Sequence, residues 1–165
     1  MKTTVLKWVG IFFVCFALQT TIVPVIDIAG IKPDLLLVAL FFLSLKYGQM
    51  TGVWVGFFLG LSQDLFSPAI LGQNALSKAV AAFAAGFFNE RVMRLDVIFQ
   101  MVLMLVVFVI NDALFYIVQL VKTGGSGARI FIELITATVP RALYSMLFAL
   151  VPWLKDRFFP TVFRR

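Results

Sequence analysis

Residues 48–66 read GQMTGVWVGFFLGLSQDLF, with glycine at every fourth position: Gly48, Gly52, Gly56 and Gly60. An α-helix turns once in about 3.6 residues, so these glycines share one helical face. Apolar helices in a bilayer have no hydrophobic drive to associate and rely on close van der Waals contact. A face without side chains permits that contact. The stripe therefore predicts a tightly packed helix that meets either a neighbour in this chain or the transmembrane helix of a partner.

The following apolar segment offers a matching surface. Residues 73–88 carry small side chains on one face, at Ala75, Ala79, Ala82 and Gly86. Two such faces can approach until their backbones touch. This match favours packing within the chain, while docking of a partner helix on the glycines stays open.

Composition sets the class of protein. Of 165 residues, 62% are hydrophobic and 13% are charged, and the mean hydropathy is +1.03. Soluble domains carry about 45–50% apolar and roughly 25% charged residues. These values exclude a soluble monomer and predict an all-α integral membrane protein. The net charge of +6 is explained by where the cations lie along the chain, so it does not indicate nucleic-acid binding.

Apolar segments separated by short polar turns predict one multi-span domain over residues 1–165, a compact bundle of six transmembrane helices. The predicted spans are about 5–25, 33–47, 48–66, 73–88, 96–121 and 130–154. The second covers about 22 Å, short of a ~30 Å hydrocarbon core. Its helix is therefore expected to be buried by its neighbours or partly re-entrant. Pro33 suits its first turn, and Asp34 suits the positive end of its dipole.

Lysine and arginine predict the orientation, because they concentrate in cytoplasmic connections. With six spans, one side carries nine of them: Lys2, Lys7, Lys46, Arg91, Arg94, Lys155, Arg157, Arg164 and Arg165. The other side carries three: Lys32, Lys122 and Arg129. We therefore expect a multi-pass protein of the bacterial cytoplasmic (inner) membrane with both termini in the cytoplasm.

Several classes of chemistry have no residues to support them. Histidine is absent and Cys15 is the single cysteine. Disulfides, thiolate zinc sites, histidine-ligated metals and Ser-His-Asp or Cys-His nucleophiles are excluded. We expect no enzyme, no metal and no cofactor.

Ionisable residues inside spans are costly and are candidates for function. They are Asp64, Lys78, Asp112, Glu133 and Arg141. The helical rise places all five in the outer half of the bundle, with Asn74 one turn from Lys78. We expect a buried polar cluster that opens outward, with Asp112–Arg141 and Asp64–Lys78 as pairs. It is either a structural network that fixes helix register or a pocket for a ligand or lipid.

Three short motifs carry a family resemblance that runs almost end to end in length, span order and charge. They are Gly60-Leu61-Ser62-Gln63-Asp64-Leu65-Phe66-Ser67, Leu71-Gly72-Gln73-Asn74-Ala75-Leu76 and Lys32-Pro33-Asp34-Leu35. In these the chain resembles the MreD family, small multi-span subunits of the bacterial rod-shape machinery.

The resemblance implies a non-enzymatic scaffold of cell elongation that binds the single-span periplasmic protein MreC. Through MreC it would help connect MreB filaments to RodA and its penicillin-binding transpeptidase, and so regulate or organise peptidoglycan synthesis. It implies a fold similar to the substrate-binding subunits of energy-coupling-factor transporters, a likeness that does not carry function.

The alternative is such a vitamin-binding transport subunit. Those subunits dock on their partner through a small-residue face on the first helix. Here that helix carries the bulky residues Trp8, Phe12, Phe13 and Phe16, which favours the scaffold. The stoichiometry with partners and the helix on which a partner docks do not follow from the sequence.

Overall fold

The computed structural model describes residues 2–26, 31–66, 71–89, 96–123, 132 and 134–158. Nearly all of this part of the chain is helical. The helices are α1 (Lys2–Thr21), α2 (Leu35–Tyr47), α3 (Gln49–Phe66), α4 (Gln73–Phe87), α5 (Val97–Thr123) and α6 (Val139–Phe158). A π-helical segment, Leu134–Thr138, precedes α6. These six helices correspond in order to the six predicted spans.

Length and apolarity single out one of the described helices. Within α5, Val97–Val121 has 25 residues and is long and apolar enough to cross a membrane. Shorter apolar helical stretches are Leu6–Thr21, Leu35–Tyr47 and Ile135–Leu150. A crossing by all six segments stays a prediction.

The centre of the bundle is α2, in which ten of thirteen residues are buried. Its backbone approaches those of α1, α3, α4, α5 and α6. A helix that is apolar on every face belongs in an interior. At thirteen residues it measures about 20 Å. Of the two arrangements expected for this segment, it has the first, a short helix buried by its neighbours.

Each end of α2 is defined by a capping residue. Asp34 is the N-cap, and its side chain accepts a hydrogen bond from the backbone N–H of Leu37 at 2.9 Å. At the other end Gly48 has φ 85°, a conformation that favours glycine. This single residue links α2 to α3, and a Cβ added to it would also lie 2.8 Å from Asn89 Nδ2.

The other three glycines of the stripe bring α3 against α4. A Cβ at Gly56 would lie 2.8 Å from the carbonyl oxygen of Lys78, and one at Gly52 would lie 3.2 Å from that of Ala82. A Cβ at Gly60 would overlap the backbone of Asn74 and Ala75. The glycine face is therefore filled by this chain's own fourth helix. The alternative of a partner helix on these glycines is wrong.

Helix α1 lies at the edge of the bundle. Among the described helices its backbone approaches only that of α2. Trp8 donates from Nε1 to the hydroxyl of Tyr47 at 3.1 Å. Gln19 donates from Nε2 to the carbonyl of Pro33 at 3.1 Å and accepts from the N–H of Leu35 at 3.0 Å. Hydrogen bonds thus fasten α1 to α2 at both ends.

The bulky residues of α1 face two ways. Trp8, Phe12 and Phe16 belong to or pack against the core around α2, whereas Phe13 is 75% exposed. Three of the four bulky residues of the first helix therefore pack toward the interior of the bundle. They do not form the outward face of α1, on which a partner would dock.

Candidate functional site

A buried ion pair joins α2 to α4. Lys78 Nζ lies 2.7 Å from Asp34 Oδ2, and the Lys78 side chain is 1% exposed. The backbone N–H of Asp34 donates to Ser145 Oγ on α6 at 3.0 Å. The residue that caps α2 therefore also binds α4 and α6. The prediction that Lys78 pairs with Asp64 is wrong.

Asp64 caps the start of α4 instead. Its Oδ2 accepts from the N–H of Gly72 at 2.9 Å and of Ala75 at 3.2 Å. Its Oδ1 accepts from the backbone N–H of Asn74 at 3.0 Å and from Asn74 Nδ2 at 2.8 Å. The first N–H groups of a helix have no intrahelical acceptor and carry partial positive charge. These N–H groups compensate the charge of Asp64 without a cation. Lys78 therefore pairs with Asp34 instead.

The predicted pair between α5 and α6 is present. Arg141 Nη1 lies 3.3 Å from Asp112 Oδ2, and the side chains are 29% and 3% exposed. Asp112 also accepts from Thr138 Oγ1 at 2.9 Å and, through Oδ1, from Asn111 Nδ2 at 2.9 Å. Two neutral donors and one cation thus satisfy this carboxylate.

The backbone of the sixth segment positions Thr138 and Arg141. Leu134–Thr138 forms a π-helical segment, a geometry that occurs in short stretches and is frequent at functional sites. Pro140 follows and has no N–H to donate. Thr138, at the end of the segment, is completely buried. This irregular backbone sets two donors of the same element against one carboxylate of α5.

The two ion pairs lie side by side along α6 and together are called the polar network. Ser145, which accepts from the backbone N–H of Asp34, lies one helical turn beyond Arg141 on α6. Asp64 and Asn74 form a separate cap. Glu133 lies outside the described residues, so its predicted place in the cluster is not tested.

A comparison with protein families identifies the family of this chain. The model of the rod shape-determining protein MreD matches residues 1–158 of this chain of 165.

The chain belongs to the MreD family.

It is therefore a rod shape-determining membrane protein. The MreD family is a shape-determining structural family and not a known enzyme family. Comparisons with curated proteins and with solved structures give no match.

The motifs that carried the resemblance to MreD form the junctions of the fold. Within residues 60–76, Gly60 meets the start of α4 and Asp64 caps it. Residues 32–35 begin α2 and supply Asp34 to the ion pair with Lys78. In this chain the motifs therefore hold helices together.

The network's chemistry is that of paired charges. Among the described residues no group of three or more His, Cys, Asp or Glu could hold a metal ion. Sequence reasoning missed Asp34 as a network member, although Pro33-Asp34 marked a helix start. It also missed Ser145, Asn111 and Thr138, short polar residues in apolar segments, which give no sequence signal for a partner on another helix.

Proposed function

We propose that this MreD-family protein is a non-enzymatic scaffold of the cell-elongation machinery that binds the single span of MreC inside the cytoplasmic membrane. Through MreC it helps connect MreB to RodA and its penicillin-binding transpeptidase, and so helps organise peptidoglycan synthesis. The family match over residues 1–158 carries this proposal.

The packing limits where a partner can bind. The core helix α2 is buried and the glycine face of α3 is occupied by α4. The transmembrane helix of a partner must therefore bind to an outward apolar surface and displace lipid there. In a bilayer such docking depends on shape and on polar contacts rather than on hydrophobicity.

The proposal includes a topology. Six crossings with both termini in the cytoplasm place the nine-cation side inward, as the positive-inside rule requires. The whole chain then forms a single membrane domain. A likeness to the substrate-binding subunits of energy-coupling-factor transporters is part of the same proposal for the fold.

Site-specific photocrosslinking tests the partner and its position. A photoreactive amino acid is placed on α1, α3, α5 and α6 at one exposed position each: Phe13, Phe58, Val102 and Leu147. Phe41, which is 1% exposed, is the matched buried control. In cells that express MreC, we expect crosslinks to MreC from one neighbouring set of exposed positions and none from Phe41.

The same cells separate the scaffold from the transport subunit. Purification in mild detergent should recover MreC with the chain. Recovery of an ATPase pair without MreC, or crosslinks to neither MreC nor its associates from all four exposed positions, would contradict the proposal.

A further inference from the structure

The core helix α2 reaches the surface of the bundle at one of its ends. Ten of its thirteen residues are buried. The three that are partly exposed, Phe42, Lys46 and Tyr47, all lie toward its C-terminal end. Phe42 precedes Lys46 by one helical turn and lies on the same side of the helix. This end of α2 therefore presents a cation at the surface with an aromatic ring one turn deeper.

The start of α1 completes this surface. Trp8 donates from Nε1 to the Tyr47 hydroxyl at 3.1 Å, and the two rings meet edge to face with centroids 6.0 Å apart. The Lys46 ammonium lies 5.9 Å from the centroid of the Tyr47 ring. Lys7, the residue before Trp8, is exposed. Two lysines thus flank one pair of contacting aromatic residues. We call Lys7, Trp8, Phe42, Lys46 and Tyr47 the α2 end surface.

The α2 end surface lies at a defined end of the bundle. The contact between Trp8 and Tyr47 joins α1 and α2 at this end, and the hydrogen bond from Gln19 to Pro33 joins them at the other. On the proposed six-span topology this end faces the cytoplasm. The cytoplasmic leaflet of a membrane carries anionic lipids and a negative surface potential. The charge of the surface is therefore complementary to that leaflet.

The arrangement of the side chains favours a phospholipid over a free anion. Tryptophan and tyrosine are enriched where the bilayer meets water, because their rings are apolar and their tips are polar. Each lysine near a membrane surface contributes about 1 kcal/mol of attraction to anionic lipid. Phe42, one turn deeper, adds an apolar contact that an inorganic anion does not use. Cations above an aromatic ring match a charged headgroup above its acyl chains.

We propose that the α2 end surface binds one anionic phospholipid, with its phosphate at Lys46 and Lys7 and an acyl chain across Phe42. The lipid then covers the exposed end of the core helix. The leaflet from which it comes follows from the proposed topology, whereas the binding requires only the folded chain and does not involve MreC.

Native mass spectrometry of the purified full chain in an uncharged detergent tests the proposal, because it resolves how many lipids are bound at each lipid concentration. The probe is phosphatidylglycerol, and phosphatidylcholine with the same acyl chains is the lipid without net charge. Lys46→Gln removes the cation at the end of α2. Lys122→Gln, near the C-terminal end of α5 and at the opposite end of the bundle, is the matched control.

We expect the first phosphatidylglycerol to bind more tightly than the first phosphatidylcholine. Lys46→Gln should weaken binding of phosphatidylglycerol about fivefold and leave phosphatidylcholine unchanged, whereas Lys122→Gln should bind both lipids as the wild type does. Inorganic phosphate, compared with sodium chloride at equal ionic strength, should not displace the bound lipid. Equal affinities for the two lipids, no loss in Lys46→Gln, an equal loss in Lys122→Gln, or displacement by inorganic phosphate would overturn the proposal.

A second variant keeps the test decisive if Lys46→Gln fails to fold. Lys7→Gln changes an exposed residue of α1, so the packing of the core does not depend on it. It should also weaken binding of phosphatidylglycerol about fivefold and leave that of phosphatidylcholine unchanged. Binding of phosphatidylglycerol as tight as in the wild type would contradict the proposed site.

Discussion

Asp34 and Lys78, separated by 44 residues in sequence, meet through atoms 2.7 Å apart in the interior of the bundle. Asp34 begins α2 and Lys78 lies in the second turn of α4. The pair therefore fixes where α2 starts relative to α4. Because the backbone N–H of Asp34 also donates to Ser145 Oγ of α6, this one residue sets the relative positions of three helices.

Loss of Lys78 should leave the Asp34 carboxylate without a counter-ion. Lys78→Met removes the cation from a buried pair and should cost about 3–5 kcal/mol of unfolding free energy. The double variant Lys78→Met with Asp34→Asn leaves no uncompensated charge and should recover much of that loss. Unfolding of both in detergent, followed by circular dichroism, measures the difference. A double variant as unstable as the single one would show that the charge pair is not the cause.

Bulk on the glycine face should separate α3 from α4. Gly56→Leu would press against the backbone carbonyl of Lys78, which cannot move aside, and should prevent folding. Gly56→Ala adds only a Cβ and should destabilise by about 1–3 kcal/mol.

Gly10 provides the matched control for the glycine face. It lies in α1, and nothing lies within 4 Å of a Cβ added there. Gly10→Ala should be neutral or should stabilise by about 0.5–1 kcal/mol through helix propensity. The yield of monodisperse protein and its unfolding midpoint report both effects. Equal damage from the two alanine variants would contradict the packing argument.

Removal of the Asp64 cap should weaken the start of α4. Asp64→Ala leaves the N–H groups of Gly72, Asn74 and Ala75 without their acceptor and should destabilise by about 2 kcal/mol, the upper end for a cap. Asp64→Asn keeps an oxygen and should lose less. Ser62→Ala is the control, because among the described residues Ser62 donates to the carbonyl of Phe58 in its own helix. Hydrogen exchange of the amides of α4 measures the loss, and protection unchanged in Asp64→Ala would refute the capping role.

The proposed topology predicts which ends a membrane-impermeant thiol reagent can reach. In a Cys15→Ala background, a cysteine at Lys7 should react only after the cytoplasmic membrane is opened. A cysteine at Gly125 should react in spheroplasts with intact membranes, because the six-span topology assigns residues 122–129 to the outer side. Labelling of both positions in intact spheroplasts would disprove the six-span arrangement.

Sequence periodicity could predict the contacts that depend on spacing alone. The four-residue recurrence of glycine required a bare helical face, and the alanine face of residues 73–88 supplied its match. Helical rise and charge also sufficed to pair Asp112 with Arg141. The glycine and alanine faces follow from each helix by itself, and the ion pair follows from the similar depth of Asp112 and Arg141 along their two spans.

The remaining contacts depend on how helices are offset along their axes. Lys78 pairs with Asp34 because α2 begins beside it, and the sequence does not state how deep a short helix sits. Asp64 is satisfied by backbone N–H groups that appear only when α4 turns back against α3. The π-helical segment before α6 is a local adjustment to tertiary contacts, and no periodicity in residues 134–138 predicts it.

The burial of α2 bears on how the protein tolerates its surroundings. Lipid thickness acts on helices that lipid touches, through tilt or local compression of the bilayer. At about 20 Å, α2 would be severely mismatched if acyl chains reached it, but the helices around it keep them away. On the six-span topology, a thinner or thicker membrane would therefore tilt the outer helices while Asp34 and its partners stay unstrained in the interior.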